Sequence, residues 1–205
     1  MHREILSEKQ KVLLPLLGQF AREYYLAGGT AIALHIGHRR SIDFDLFKFS
    51  SVNHKKNIDK IAGRNFPFEI TRRIAGQMNV TVQEVKLTFL EYPFPVAAKM
   101  WFENVIKLPE LIDLAAMKAY ALGRRSKWKD YVDLYFILKY YFSIDQISAR
   151  ANEIFNQLWS EKLFRAQLSY FDDIDYYESV EFVNTPVPEE EIRSFLAARS
   201  IEISL

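Results

Sequence analysis

The segment from Leu26 to Phe47, LAGGTAIALHIGHRRSIDFDLF, constrains the fold of this chain more than any other stretch. A short apolar run ends at Gly28-Gly29. An apolar stretch of helical character follows and stops at Gly37. An alternating run then places two acids, Asp43 and Asp45, two positions apart. Strand, glycine turn, helix and strand in such close succession define one edge of a sheet and put the glycines near the acids.

Glycines take positive φ and let backbone N–H groups approach a phosphate without an intervening Cβ. A helix starting there turns its N-terminal N–H groups to the same point. Thr30 adds a hydroxyl that can cap the helix or reach a phosphate. A ligand-free strand-to-helix turn has the same requirements, so Gly28-Gly29-Thr30 alone leaves both readings open. In Ser41-Ile-Asp-Phe-Asp-Leu-Phe47, strand alternation assigns Ile42, Phe44 and Leu46 to the core face and Asp43 and Asp45 to the other. Neighbouring carboxylates repel unless a cation or donors lie between them. Magnesium prefers oxygen ligands and shares them with phosphates. A solvated strand face also reads D-x-D. It is the combination on one sheet edge that points to nucleotidyl transfer from a nucleoside triphosphate. Arg39 and Arg40, just before the acids, supply charge for phosphate or belong to a surface loop.

Bulk properties narrow the class. The chain has 205 residues, 49% of them hydrophobic and 26% charged, enough for a real core. The lack of cysteine excludes disulfides and thiolate metal sites and fits a reducing cytoplasm. The N-terminal MHREILSEKQ is charged, unlike a signal peptide, and no apolar run reaches the roughly 18 residues of a membrane span. A net charge of +1 gives no global attraction to nucleic acid. Basic residues nevertheless cluster at Arg39-Arg40, Lys55-Lys56, Arg72-Arg73 and 124–129, and acids accumulate between Arg165 and Arg193, where Lys and Arg are absent. These predict a basic face and an acidic region, or two solvated surfaces. There is no G-x-S-x-G, no G-x-G-x-x-G and no His pair at metal-ligand spacing.

Periodicity and breakers predict a helix over 7–20, kinked or broken by Pro15, a strand over 24–27, a helix over 30–36 and a strand over 41–49. A helix over 53–62 follows, then β runs over 66–74 and 79–90 joined at Ala75-Gly-Gln77, and an extended piece over 100–108. Beyond, helices are predicted over 110–122 (ended by Gly123), from Ser126 or Asp130 to 142, from Ser143, from Glu161, and over 188–198. The expected class is α+β of the α/β type: a mixed sheet with flanking helices in residues 1–108, then a helical domain, 109–205, that completes the cleft.

A second constellation lies in DLAAMKAYALGRRSKWKDYVDLYFIL. Lys118 shares a helical face with Leu111, Leu114, Ala115 and Leu122, so it must snorkel, pair or reach into a cleft. Asp130 and Asp133 meet on one helix face at i and i+3. Asp133, among Val132, Leu134, Tyr135 and Phe136, is poorly placed for an unpaired charge. A buried Lys118–Asp133 or Lys118–Asp130 bridge between helices and a functional role are compatible.

The two segments together resemble the polymerase-β-like nucleotidyltransferases, and within them the AbiEii-type toxin family of bacterial toxin–antitoxin systems. The first segment matches the GG(S/T) turn, the H-R-x-S segment and the D-x-D acids. The second matches the K…R…KDxxDLY signature. The resemblance implies that Gly28, Gly29 and Thr30 grip triphosphate and that Asp43 and Asp45 hold Mg2+. It implies a phosphate contact for Lys118 and a share in the site for Asp130. It also implies an acceptor hydroxyl on RNA, especially tRNA 3′ ends, or on protein, a cognate antitoxin, and growth inhibition. The superfamily's usual third carboxylate has no clear counterpart. Its position holds Thr88. Glu84 shares that face but lies four residues back, about 13 Å by strand rise. Glu91, just past the strand, is a substitute, and Asp130 is a further candidate. This departure supports an alternative: a nucleotide- or RNA-binding module of the same fold with weak or lost turnover. His35 is expected to be packed rather than catalytic. His38, just before the arginines, can touch substrate but is not assigned as a base, and the aromatic run Tyr131 to Phe142 is expected to pack helices.

Overall fold

The computed structural model describes residues 1–122 and 124–202. It divides into two compact units, Met1–Glu110 and Leu111–Leu205.

In the first unit, α1 (Glu8–Leu17) opens with a reciprocal capping box. The Ser7 hydroxyl accepts from Gln10 N–H, and the Gln10 side chain accepts from Ser7 N–H. Pro15 lies in its last turn and the helix ends two residues later. β1 (Tyr25–Ala27) leads into α2 (Gly28–Ile36), which stops at Gly37 in the left-handed conformation, φ +70°. β2 (Phe44–Lys48) and α3 (His54–Ala62, capped by Asn53) follow. The expected single run over 79–90 is two strands. β3 (Phe68–Ile74), β4 (Gln77–Val82) and β5 (Val85–Glu91) form a meander, with Gln83 and Glu84 both at positive φ in the second turn. The extended piece is likewise a hairpin, β6 (Ala98–Phe102) and β7 (Ile106–Pro109), turned at Glu103-Asn104 with positive φ. Adjacent positive-φ residues give a two-residue turn whose twist suits a hairpin.

The main sheet has the order β1-β2-β5-β4-β3. β2 and β5 are parallel; every other pair is antiparallel. One face is core: Leu46, Phe89 and Met78 form a fully buried cross-strand row, and Phe20 and Tyr24 pack edge-on against Phe89 at 4.8 and 5.3 Å between ring centroids. Burying side chains of this size contributes about 1.5–3 kcal/mol each. Ile42 departs from its expected place in this core. It precedes the strand proper and is 59% exposed, because the alternation of β2 begins only at Phe44.

The second unit is helical: α4 (Leu111–Leu122), α5 (Trp128–Tyr140), α6 (Ile144–Phe155), α7 (Glu161–Leu168) and α8 (Glu189–Ile201). The expected terminator Gly123 lies outside the described residues. α5 starts at Trp128, between the two predicted starts. Tyr131 and Tyr135 are fully buried as expected, but Tyr140 and Tyr141 are exposed at the end of the helix.

The basic loop before α5 and the acidic stretch after α7 are not separate surfaces. Asp175 bonds the loop through its backbone, accepting from Trp128 N–H and donating to Ser126 O. Ser126 Oγ donates to Asp173, and Glu178 takes Lys127 at 2.5 Å and Lys129 at 3.2 Å. Burial raises the Glu178 pKa, but the two lysines outweigh it and bring the carboxyl down to about 2. The predicted basic face is therefore largely neutralised here.

Candidate active site

The first unit assembles its acids from the glycine turn outward. Gly28 has φ +68°, and a Cβ there would collide with the Asp45 carboxylate. Gly29 is equally constrained: a Cβ would meet Arg39 Nη2 at 2.6 Å and Ser41 Oγ at 3.3 Å. The glycines form the first turn of α2 itself, rather than a turn ahead of it. Its N-cap, Ala27, supplies no side-chain cap, so backbone donors gather beside Asp45.

Thr30 is 1% exposed. Its hydroxyl donates to the Asp43 carbonyl and pairs with Ser41 Oγ at 2.9 Å. Thr30 therefore neither caps the helix nor faces outward; it fixes the start of α2 to the acid-bearing segment. Ser41 in turn receives Gln10 Nε2 at its carbonyl, 2.8 Å. A buried relay thus runs from the α1 capping box through Gln10, Ser41 and Thr30 to Asp43. Gln10 and Ser41 escape the sequence-level reading. The one available signal is S-E-K-Q, which marks a capping box but not the second partner of its glutamine.

Asp43 and Asp45 are both half-buried. Asp45 alternates with the fully buried Phe44 and Leu46 and so faces away from the core, while Asp43 immediately precedes β2 with its carbonyl held by Thr30. Arg39 is only 2% exposed, beneath Gly29, and Nη1 donates to Arg40 O at 3.0 Å. A surface loop is thereby ruled out for it. Arg40 is half-buried and donates to the Glu4 carbonyl at 3.2 Å.

The register places Thr88 directly opposite Asp45 on the adjacent parallel strand, with Asn79 beyond it on β4. Neither proposed substitute acid reaches this row. Glu84 lies in the β4–β5 turn, paired with Lys9. Glu91 is three positions from Thr88 and so on the other face, opposite Lys48. Among the described residues no group of three or more His, Cys, Asp or Glu is placed to hold a metal. His35 is packed as expected: its Nε2 donates to the Pro109 carbonyl at 3.0 Å, and burial lowers its pKa.

The second unit holds Lys118 in a buried ion cluster. Its Nζ lies 2.7 Å from Asp130 and 2.9 Å from Asp133, with all three side chains no more than 4% exposed. Arg125 grips Asp130 with two bonds, Nε at 2.8 Å and Nη2 at 3.3 Å, and is half-exposed. Two cations balance two carboxylates, which is what makes the burial tolerable. The helix-to-helix bridge foreseen from the sequence is formed, and Arg125 is the cluster's outward member.

A mixed sheet with flanking helices, a glycine turn pressed on a D-x-D strand and a helical second unit defines a nucleotidyltransferase. The chain belongs to the family described as "Nucleotidyl transferase AbiEii toxin, Type IV TA system", whose sequence pattern matches residues 16–203. It is 27% identical over 195 residues to an uncharacterized protein of Aquifex aeolicus, covering 87% of this chain and 90% of that one. Among solved structures it resembles JHP933 from Helicobacter pylori, with TM-score 0.61, 20% identity, and 95% and 91% of the two chains covered. It also resembles MenT4, the nucleotidyltransferase toxin Rv2826c of Mycobacterium tuberculosis H37Rv, with TM-score 0.61, 15% identity, and 94% and 80% covered. No described helix is long and apolar enough to cross a membrane.

Proposed function

We propose that this nucleotidyltransferase is Mg2+-dependent and moves a nucleoside monophosphate from an NTP to an acceptor hydroxyl, releasing pyrophosphate. The observation that carries the reading is the pair Asp43 and Asp45, both half-buried, with the Asp45 carboxylate against Gly28 at the start of α2, whose N-cap Ala27 makes no side-chain cap. The residues fit a magnesium ion: two carboxylates two positions apart are all-oxygen donors of the kind that share the ion with phosphate oxygens. A bound ion would supply charge neutralisation for the triphosphate and lower the pKa of the attacking hydroxyl. The chain's own groups do the rest. The α2 N–H groups and Gly28-Gly29 bind phosphate oxygens, and the buried Arg39 offsets the local negative charge. The Gln10–Ser41–Thr30 relay keeps Asp43 in place.

The acceptor is an RNA such as tRNA, or a protein hydroxyl. Family membership supports a toxin held by a cognate antitoxin in the cytoplasm. Lys118 and Asp130 enter this reading by resemblance, as a phosphate contact and a contributor to the site. Their mutual bridge supports a structural role as well. Incubation with labelled NTPs, Mg2+ and total tRNA tests the proposal: label passes to RNA or protein, and Asp43→Ala removes it.

One observation favours a second reading, a nucleotide- or RNA-binding module with weak or lost turnover: Thr88, not an acid, stands opposite Asp45. NTP binding with no transfer to either acceptor class would establish it.

A further inference from the structure

We propose that the sheet face carrying Asp45 is a lane for the sugar–phosphate backbone of an RNA acceptor, with Arg72 and Lys86 as its phosphate contacts. This rests on the assignment of Asp43 and Asp45 to the transfer site and selects RNA over protein as acceptor.

The lane follows from the register. Asp45 pairs with Thr88, Thr88 with Asn79, and Asn79 with Arg72, in one row across β2, β5, β4 and β3. Directly opposed residues share a face, so carboxylate, hydroxyl, amide and guanidinium stand in line on the side away from the core. Three strand spacings put Arg72 about 14 Å from Asp45. That is too far to touch the reacting hydroxyl and suits the backbone behind it. Lys86 stands two positions before Thr88 on the same face, in a row with Thr81 and Glu69.

The side chains along the row are set to donate. Asn79 Oδ1 accepts from Gln77 Nε2 at 3.0 Å, which directs the amide N–H groups away from Gln77. Arg72 and Lys86 are exposed and have no ion pair among the described residues, although Glu69 shares the face two strands from Lys86. Several other surface cations of this unit are paired: Lys9 with Glu84, Lys11 with Glu8, Lys56 and Lys60 with Glu23, and Arg3 with Glu103. Arg22, Lys55, Arg73 and Lys99 are exposed too, so it is the register with Asp45 that distinguishes Arg72 and Lys86. Cations left for solvent in line with the acid site suit a polyanion, and a Ser, Thr or Tyr acceptor on a protein gives them nothing to bind. On the other flank, Phe47 packs with Tyr25 and Tyr92, at 6.3 and 5.1 Å between ring centroids, and walls the row with apolar surface.

Positive charge on β3 has a competing explanation, since charged side chains protect sheet edges from pairing with other chains. Arg73 separates the two. It is exposed on the same edge strand, but its register partner is the buried Met78, so it belongs to the opposite face.

The test is binding of fluorescein-labelled tRNA by anisotropy across a salt series, with the full chain. Arg72→Ala/Lys86→Ala should weaken binding about tenfold and flatten the slope of log K against log salt by about 1.4, for two single-strand phosphate contacts. Arg73→Ala should change neither. Equal losses for both sets, no loss for the double variant, or no binding by the unmodified chain would overturn the lane. Asp45→Ala reads out separately: it removes transfer and leaves RNA binding, so failure of the transfer reading is distinguishable from failure of the lane.

Discussion

The carboxylate of Asp45 occupies the space that a Cβ on residue 28 would need. Gly28 is thus fixed twice, by this contact and by its φ of +68°, a region that costs a side chain about 1–2 kcal/mol. Gly28→Ala should leave a folded protein, as judged by circular dichroism, but displace Asp45. Transfer should fall at least about 100-fold, comparable with the effect of a 1 Å misplacement. Wild-type rates in Gly28→Ala would show that Asp45 tolerates movement.

Ser41 stands between Gln10 and Thr30, and its loss should loosen Asp43 without removing any acid. Ser41→Ala deletes one buried hydroxyl, at about 1 kcal/mol in stability. Thr30→Val removes the donor to the Asp43 carbonyl as well and should cost about 1–3 kcal/mol. Urea denaturation reads the stability, and kcat, not KM for NTP, should carry the functional loss.

Thr88→Asp places a third carboxylate directly opposite Asp45. Without a cation the added like charge should lower Tm. With millimolar Mg2+ or Mn2+ the variant should gain more in Tm than the wild type does. Thermal melts with and without the ion check this, and equal gains in both proteins would show that residue 88 does not face the bound cation.

Lys118 neutralises two buried carboxylates, and removing it leaves both without their shared partner. Lys118→Met should destabilise by about 3–5 kcal/mol. Adding Asp130→Asn and Asp133→Asn should recover part of that loss. Arg125→Gln should cost about 1 kcal/mol or less, because its half-exposed side chain is screened by water. Chemical denaturation of the four proteins gives the comparison.

Glu178 carries a pH signature. Its carboxyl is depressed from 4.5 to about 2, so its contribution is fully present above about 4.5 and is lost as pH falls toward 2. Amide protection factors in the 171–185 segment, taken relative to intrinsic exchange at each pH, should fall over that window, and Glu178→Gln should show the reduced protection already at neutral pH. Protection factors that stay constant with pH would place the anchoring elsewhere, on the Asp175 backbone bonds.

Local chemistry decided which features could be read from the sequence. Ser7 and Ser143 announce their helices because each cap is complete within four residues, and both form capping boxes. The acid pair and its buried neighbours Phe44 and Leu46 follow from alternation. The hairpin turns at Gln83-Glu84 and Glu103-Asn104 were hidden because they use positive φ without glycine, a choice stabilised by strand pairing rather than by local preference. The join between the 124–129 loop and Glu178 was hidden for a related reason: about fifty residues separate the partners, and charge clusters do not name their counterions. Thr88 was assigned the position of the third acid through the superfamily resemblance. Its register with Asp45 required the parallel pairing of β2 with β5.

That parallel pairing also sets a schedule. β1 and β2 leave the ribosome early, and the meander that supplies β5 comes some forty residues later. Until Glu91 is synthesised, Asp45 belongs to a two-stranded ribbon with no neighbour on its second side, and such ribbons are marginal in water. A nascent chain therefore lacks the Asp45–Thr88 pairing, and with it the full sheet around the acid, until β5 has emerged.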